Sequence, residues 1–370
     1  MNVLHIFNQL DFSGAEIMYV DAAHIFKKNK IKLFALSTGE KFGNYTNQFK
    51  DSGFKIFHKS YNPRYLVLSY SGLRFYFFLS KLLIRLKIDT IHIHRSDIYF
   101  PAVLAYFLRI KCVKTQHSVF ESRIITRYIG VLRRYLTRRL FGLVFHTIGQ
   151  SVYDNELTYY KNPSNRINNW YNSERFFPSM SQDEKKSMKE NIGLPAESFV
   201  IITAGRCTDG KRHTHIIQAL SKINDKNIYY LHLGSGIEED SEKAESQQLG
   251  LSGNILFLGN QNNVRDYLIA SDVFIMPSKF EGLSIAAIEA MACNVLLILY
   301  NVPGLRDMIN NDDNGYLIKE NVAELVKSIK HVRNNPLDCN EKITNAFNYV
   351  RSHHDIFINT KKVIDLYAAK

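Results

Sequence analysis

The sequence predicts an α/β protein built as two doubly wound, parallel-sheet domains. Three observations predict it. Short apolar, β-branched runs alternate with helix-period segments from end to end, the pattern of parallel strands covered on both faces. The length, 370 residues, suits two domains with separate cores. The charge balance changes at one place: residues 1–170 hold 25 Lys and Arg against 10 Asp and Glu, and the remainder holds 22 against 25.

In the first half the expected strands are Val3–Phe7, Leu33–Ser37, Lys55–Phe57, Thr90–His94, Val113–Gln116 and Leu143–Ile148. Helix-period segments lie between them at Ala15–Lys28, Leu68–Leu86 and Ile98–Leu108. The stretch "RYIGVLRRYLTRRLFG", 127–142, places five arginines among Tyr, Ile, Val and Leu at helical spacing. The second half repeats the style, with strands at Phe199–Thr203, Ile228–Leu233, Ile255–Leu258, Val273–Met276 and Val295–Leu299. Its expected helices are Thr214–Ile223, Val264–Ala270, Ile285–Met291 and Val322–Val332. The polar, Pro178-containing "WYNSERFFPSMSQ" falls where the charge changes, so the domains read as 1–170 and 183–349 with a linker at 171–182. A helical stretch at about 350–370 is expected to pack back on the first domain.

Composition narrows the function classes. The hydrophobic share is 45% and the charged share 22%, as in ordinary soluble proteins. Cys112, Cys207, Cys293 and Cys339 are scattered without C-x-x-C spacing, which argues against a disulfide framework or a zinc site. The most apolar stretch, Tyr65–Leu86, carries Arg74, Lys81 and Arg85 and reads as a soluble helix. The first ten residues lack a basic leader region, so no signal peptide and a cytoplasmic location are expected. The net charge is +12, and the arginine-rich stretch offers it to an anionic membrane surface, a phosphate-bearing substrate or nucleic acid. A solvated helix face is the other reading. No zinc-finger spacing or RNP-like aromatic run supports a nucleic-acid partner.

Candidate chemistry falls just after strands. "SKFEGLSIAAIEAMA", 278–292, puts Glu281 in a loop and Glu289 inside an otherwise apolar helix. Gly282, Leu283 and Ser284 lead into that helix, whose first N–H groups suit an anion such as a diphosphate. A buried Glu289 needs donors, which the hydroxyls of a ribose supply, and Glu281 suits the hydroxyls of a sugar. The alternative is a solvent-facing Glu289 and a plain loop acid at 281. "FVIITAGRCTDGKRH" follows a strand with Gly205, Arg206 and Lys211, cations fit for a leaving diphosphate. "LHLGSGIEE", 231–239, adds Gly234 at a third strand end; it is not G-x-G-x-x-G and does not argue for NAD.

These motifs, in this order, resemble the donor domain of the retaining GT-B glycosyltransferases of family 4. The pairing is a G-R-x-x-x-x-K element, here Gly205-Arg206…Lys211, with a later double-Glu element, here Glu281…Glu289. "LGSG", "FLGNQNNVRDYLIASDVFIMPSKFEGLS" and "NNDDNGYLI" fit the same pattern, so the resemblance spans Phe199–Ile318. It implies two Rossmann-like domains facing a cleft. It implies that Arg206 and Lys211 bind the donor diphosphate, Glu289 the ribose and Glu281 the donor sugar, with the amides of Leu283 and Ser284 on phosphate. In the first half "FSGAE", 12–16, resembles the family's Gly-rich loop through Gly14, with Ser13 where a second Gly is usual. "TQHS" resembles the element that carries a functional His, which makes His117 the active-site candidate and His94 the second. In "VPGLRDMI", Asp307 takes the place of the family's late acid. The resemblance further implies a nucleotide-sugar donor, UDP-linked in the first place and GDP-linked as the other option. It implies no required cofactor and no metal in the site, in keeping with the absence of D-x-D. Charge and family habit together suggest a lipid-diphosphate-linked saccharide acceptor in capsule, O-antigen or exopolysaccharide assembly at the inner membrane face. A soluble small-acceptor transferase, a sugar epimerase and a non-catalytic nucleotide-sugar-binding subunit are the alternatives. The G-R…K and double-Glu order speaks against the epimerase.

Overall fold

Parallel strands organise both halves of the computed structural model, which describes residues 1–62, 69–119, 124–310 and 312–369. The first sheet contains β1 (Asn2–Phe7), β2 (Lys32–Ser37), β3 (Lys55–His58), β4 (Thr90–Ile93), β5 (Lys111–Gln116), β6 (Val144–Thr147) and β7 (Asn165–Arg166). Their spatial order is β3-β2-β1-β4-β5-β6-β7. The second contains β8 (Phe199–Ala204), β9 (Ile228–Leu233), β10 (Ile255–Gly259), β11 (Val273–Met276), β12 (Leu296–Tyr300) and β13 (Tyr316–Ile318), in the order β10-β9-β8-β11-β12-β13. Neighbouring strands all pair in parallel, with Ile6 opposite Ile93 and Ile201 opposite Val273 at the centres. Central strands are buried along nearly their whole length, as the unbroken apolar runs predict.

The chain folds as two units, Met1–Trp170 with Ile356–Lys370, and Tyr171–Asp355. The C-terminal stretch is divided. Helix Asn340–His353 stays in the second unit, and helix Ile356–Ala368 joins the first, where it buries Val363, Ile364 and Tyr367. The break falls at His354 and Asp355, where Tyr171 pairs with Asp355 in a parallel bridge and its N–H donates to His354 O. Residues 171–182 are therefore no loose linker. Phe176 is buried, Arg175 donates to Asn262 O at 2.9 Å, and the Arg265 guanidinium covers the Phe177 ring at 3.6 Å. Aromatic side chains that look like linker decoration in the sequence anchor the segment to the second unit.

Most expected elements differ from the observed ones by a residue or two at their ends. Pro101 sits at the start of helix Pro101–Phe107, where its missing N–H costs nothing, so the helix begins later than Ile98. Ser69 caps helix Tyr70–Arg85 by accepting from Gly72 N, and the expected start at Leu68 lies outside the described residues. The expected helix Ala15–Lys28 is two helices, Gly14–Asp21 and Ala23–Lys28, broken at Ala22 with no Pro or Gly to announce it. Helices Gln182–Asn191 and Glu239–Gln248 escape periodicity because they are polar nearly all round.

Candidate functional site

In the second sheet the chain runs from β8 outward to β9 and β10, then returns to β11 on the other side. The switch point between β8 and β11 is where open α/β sheets bind ligands, outside the carboxyl ends of the strands. Two loops meet there, residues 205–213 after β8 and 277–284 after β11. Backbone joins them, Lys279 N donating to Gly210 O at 2.8 Å. Lys211 Nζ donates to Glu281 Oε1 at 2.5 Å, and Ser278 Oγ donates to the same oxygen at 2.7 Å. Both side chains of the ion pair keep some contact with solvent, 24% for Lys211 and 15% for Glu281. A second pair, Lys279 with Asp209 at 2.5 Å, lies further out.

Two glycines fix this meeting by the space they leave. Gly234 has φ +120°, and a Cβ there would stand 1.9 Å from Gly205 O. Gly304 has φ +83°, and a Cβ there would stand 2.2 Å from Glu281 O. Any side chain at either position combines an unfavourable backbone with a clash against a site loop. Glu281 N also donates to Pro303 O at 3.1 Å, so the turn after β12 backs the Glu281 loop. Sequence reasoning assigned no role to Ser278, Pro303 or Gly304. The "VPG" tripeptide is the signal that would have found the last two.

Arg206, Gly282, Leu283 and Ser284 lie on the same two loops, and Glu289 in the helix that follows the second. Ser284 caps helix Ile285–Ala292 by accepting from Ala287 N at 3.3 Å. Gly282, Leu283 and Ser284 are buried, and Arg206 is exposed at the tip of the other loop. Glu289 is 9% exposed, so the solvent-facing alternative for it falls. Asp307 is half-buried in a short helical turn, Arg306–Met308, whose Asp307 O accepts from Tyr349 OH.

His94, His117 and Gly14 belong to the first unit. Gly14 opens helix Gly14–Asp21 and Ser13 precedes it in extended backbone, its hydroxyl donating to Glu16. The first sheet also has its switch point, between β1 and β4. His94 follows β4 and His117 follows β5, one strand over. They form the end of a histidine chain: His5 Nδ1 to His94 Nε2 at 3.0 Å, then His94 Nδ1 to His117 Nε2 at 3.2 Å. Burial holds His5 down to about 3 and His94 well below its ordinary value, and burial beside His146 and Lys114 holds His117 down to about 3. All three rings are therefore neutral at physiological pH, each with one N–H and one bare ring nitrogen. His5 Nε2 is buried without a hydrogen-bond partner among the described residues. A bare lone pair there costs less than a bare N–H, so the chain runs His5 to His94 to His117. That direction leaves His117 Nδ1–H as the donor at the chain's end.

Lys114, unremarked in the sequence, is fully buried in β5 and donates to the carbonyls of Arg95 and Ile98. Burial pushes its ammonium down to about 7. The arginine-rich stretch forms helix Ile124–Phe141. Arg134 is internal, held by Glu156 at 2.8 Å, so this arginine is structural and not part of a charged face. Tyr128, Ile129, Leu132, Tyr135 and Leu140 are each more than half accessible, with Arg133 and Arg139 exposed among them. Among the described residues no helix is long and apolar enough to cross a membrane.

Comparison with known proteins agrees with this fold. The model of "Glycosyltransferase Family 4" matches residues 12–208, and that of "Glycosyl transferases group 1" matches 184–349. A UDP-Gal:alpha-D-GlcNAc-diphosphoundecaprenol alpha-1,3-galactosyltransferase of Escherichia coli is 27% identical over 311 residues, 78% of this chain and 77% of that one. The capsular polysaccharide biosynthesis glycosyltransferase CapH of Staphylococcus aureus is 25% identical over 82% of each chain. The solved structure of Anabaena HepE in complex with UDP and glucose superposes with a TM-score of 0.83 at 15% identity, covering 100% of both chains. With two GT-B sheets and family models running through both units, the chain belongs to glycosyltransferase family 4 and is a glycosyltransferase.

Proposed function

We propose that the protein transfers a hexose or N-acetylhexosamine, with retention, from a UDP-sugar to a saccharide acceptor carried on a lipid diphosphate. The reading rests first on the Lys211–Glu281–Ser278 constellation beside the start of helix Ile285–Ala292, at the switch point of the second sheet. A cation, a helix start and a carboxylate within one loop pair match a diphosphate with a sugar at its end. Lys211 and Arg206 hold the diphosphate with the amides at Leu283 and Ser284. Glu289 accepts from the ribose hydroxyls, and Glu281 from the sugar. As the bond from sugar to diphosphate lengthens, negative charge collects on the phosphate oxygen, where these cations and the helix dipole lower its energy. The acceptor hydroxyl enters on the departing face and passes its proton to the leaving phosphate. His117, neutral, donates a hydrogen bond through Nδ1.

The UDP-Gal donor of the Escherichia coli relative and the ligands of HepE favour UDP. The diphosphoundecaprenol acceptor of that relative and the capsule role of CapH favour a lipid-linked acceptor in surface polysaccharide synthesis. A groove lined by Tyr70, Leu73, Arg74, Phe77 and Leu104, together with the exposed residues of helix Ile124–Phe141, supports contact with an anionic membrane. The first test is thermal unfolding with UDP, GDP, ADP and NAD, on wild type and Glu289→Ala. At about 100 times its dissociation constant the right nucleotide stabilises by about 2.7 kcal/mol. UDP alone should shift the melting temperature, and Glu289→Ala should lose the shift. A response to GDP alone changes the donor, and no response to any nucleotide sinks the donor-site reading. Sedimentation with anionic liposomes tests the membrane contact; no binding at low salt refutes it.

A further inference from the structure

Behind the Arg206 loop four side chains converge that the transfer reaction does not use. Cys207 follows Arg206 directly, and His213 immediately precedes helix Thr214–Ile223. His232 stands in β9 and Glu242 in helix Glu239–Gln248. All four are at most 2% exposed. Each offers one ligand-capable atom, and these atoms all lie within 4.8 Å of one another. His232 Nε2 lies 2.8 Å from His213 Nδ1, 3.7 Å from Cys207 Sγ and 3.1 Å from Glu242 Oε2. His213 Nδ1 lies 3.2 Å from Glu242 Oε1.

This is not the geometry of a satisfied hydrogen-bond network. One ring nitrogen faces three heteroatoms, and it carries at most one proton. Glu242 Oε2 sits close to His232 Nε2 but has no hydrogen-bond partner among the described residues. Tetrahedral zinc, with bonds of about 2.0–2.3 Å to N, O and S, sets its ligand atoms roughly 3.3–3.8 Å apart. The 3.7 Å spacing lies within that range, the 3.1 and 3.2 Å spacings fall just short of it, and the 2.8 Å between the two imidazoles must open by about half an ångström. Charge agrees as well: a thiolate and a carboxylate neutralise a divalent cation, so the filled site is neutral in a dry interior. One sulfur, two imidazoles and one carboxylate suit zinc or a neighbouring first-row cation, not magnesium or calcium.

We propose that Cys207, His213, His232 and Glu242 form a structural binding site for a divalent transition cation of the zinc class. The cation displaces the Cys207 thiol proton to solvent and ties the Gly205–Lys211 loop to β9 and to helix Glu239–Gln248. Gly236 packs so closely on this loop that a Cβ there would stand 2.3 Å from Cys207 O, so the turn after β9 is clamped with it. The site stands whether or not Lys211 and Glu281 hold a sugar donor. Cysteine spacing concealed it because only one ligand is a cysteine, and the four come from one loop, one strand and one helix.

The full chain, made without a polyhistidine tag, is stripped with a chelator and titrated with Zn²⁺ and with Co²⁺. The proposal expects one equivalent bound, a melting temperature raised by several degrees, and a Co²⁺ spectrum with intense four-coordinate visible bands and a thiolate charge-transfer band. Cys207→Ser should lose the charge-transfer band, and His232→Gln should lose the melting shift. If those variants do not fold, zinc-edge X-ray absorption of the wild-type chain decides, one sulfur among four ligands being the expected set. No uptake of either metal, uptake unchanged by both substitutions, or an absorption spectrum without sulfur overturns the proposal. Melting shifts with UDP are read separately, so failure of the donor reading and failure of this one are distinguishable.

Discussion

Replacing Lys211 with alanine removes the ammonium that reaches Glu281. Two effects follow, and they separate by assay. The free protein loses a partly solvated ion pair, which costs about 1 kcal/mol at most, or roughly 2–4 °C in a unit of this size. Ser278 still donates to Glu281, which keeps that cost low. Donor binding loses more. A hydrogen bond between charged groups is worth about 1.5–3 kcal/mol, so the UDP dissociation constant should rise by roughly 10- to 150-fold. With UDP fixed at about 100 times the wild-type constant, stabilisation falls from about 2.7 kcal/mol to roughly 0.3–1.4 kcal/mol. Isothermal titration gives the constants and thermal unfolding the shift. Lys186→Ala, at an exposed pair with Glu197 on helix Gln182–Asn191, serves as the charge control and should bind UDP as wild type does. UDP affinity of Lys211→Ala within twofold of wild type would refute the assignment of Lys211 to the diphosphate.

Other perturbations probe neighbouring steps of the argument. Gly234→Ala should lower the melting temperature by several degrees and weaken UDP binding together, since its Cβ meets Gly205 O; a fully stable variant contradicts the close approach. His117→Ala should cut sugar transfer by about 100-fold, the scale of one positioned proton-bearing group, while UDP affinity measured by titration stays put. Stability should fall as pH drops from about 7 towards 4. His5 and His146, held by burial down to about 3 and about 4, stay neutral in the folded chain while the unfolded chain takes up protons below about 6.5. Between pH 6.5 and 5 each contributes a loss of up to about 2 kcal/mol. A melting temperature flat from pH 7 to 5 contradicts neutral burial, and His146→Gln should flatten the slope.

Much of the fold was legible because the strands are apolar on both faces. Runs such as Val273–Met276 leave no other place than the middle of a covered parallel sheet. The failures share a cause too. Periodicity reports burial of apolar surface, and helix Glu239–Gln248 buries Glu242 and Ser246 instead. Its only local mark is three acids in the first turn. The segment 171–182 misled for the opposite reason: Pro178 and the polar residues read as exposed chain, while Phe176 and the Arg265–Phe177 contact hold it down.

The candidate site divides along the same line. Candidate residues on loops at strand ends, such as Lys211 and Glu281, stand out because a charged residue after an apolar strand has few structural reasons to be there. Residues that shape those loops are silent in the sequence. Nothing about Gly304 alone says that it touches Glu281 O, and nothing about His5, inside a buried strand, says that it sets the tautomer of His117 two strands away. The order β3-β2-β1-β4-β5 makes that link, because it lays β1, β4 and β5 side by side with a histidine on or just past each. The direction of proton donation at His117 is thus a property of sheet topology. It follows that His94→Gln, which still donates and accepts, should preserve more transfer activity than His94→Leu, which cuts the chain and frees the His117 tautomer. Equal activity of the two variants, at equal UDP affinity, would show that His117 acts without its chain.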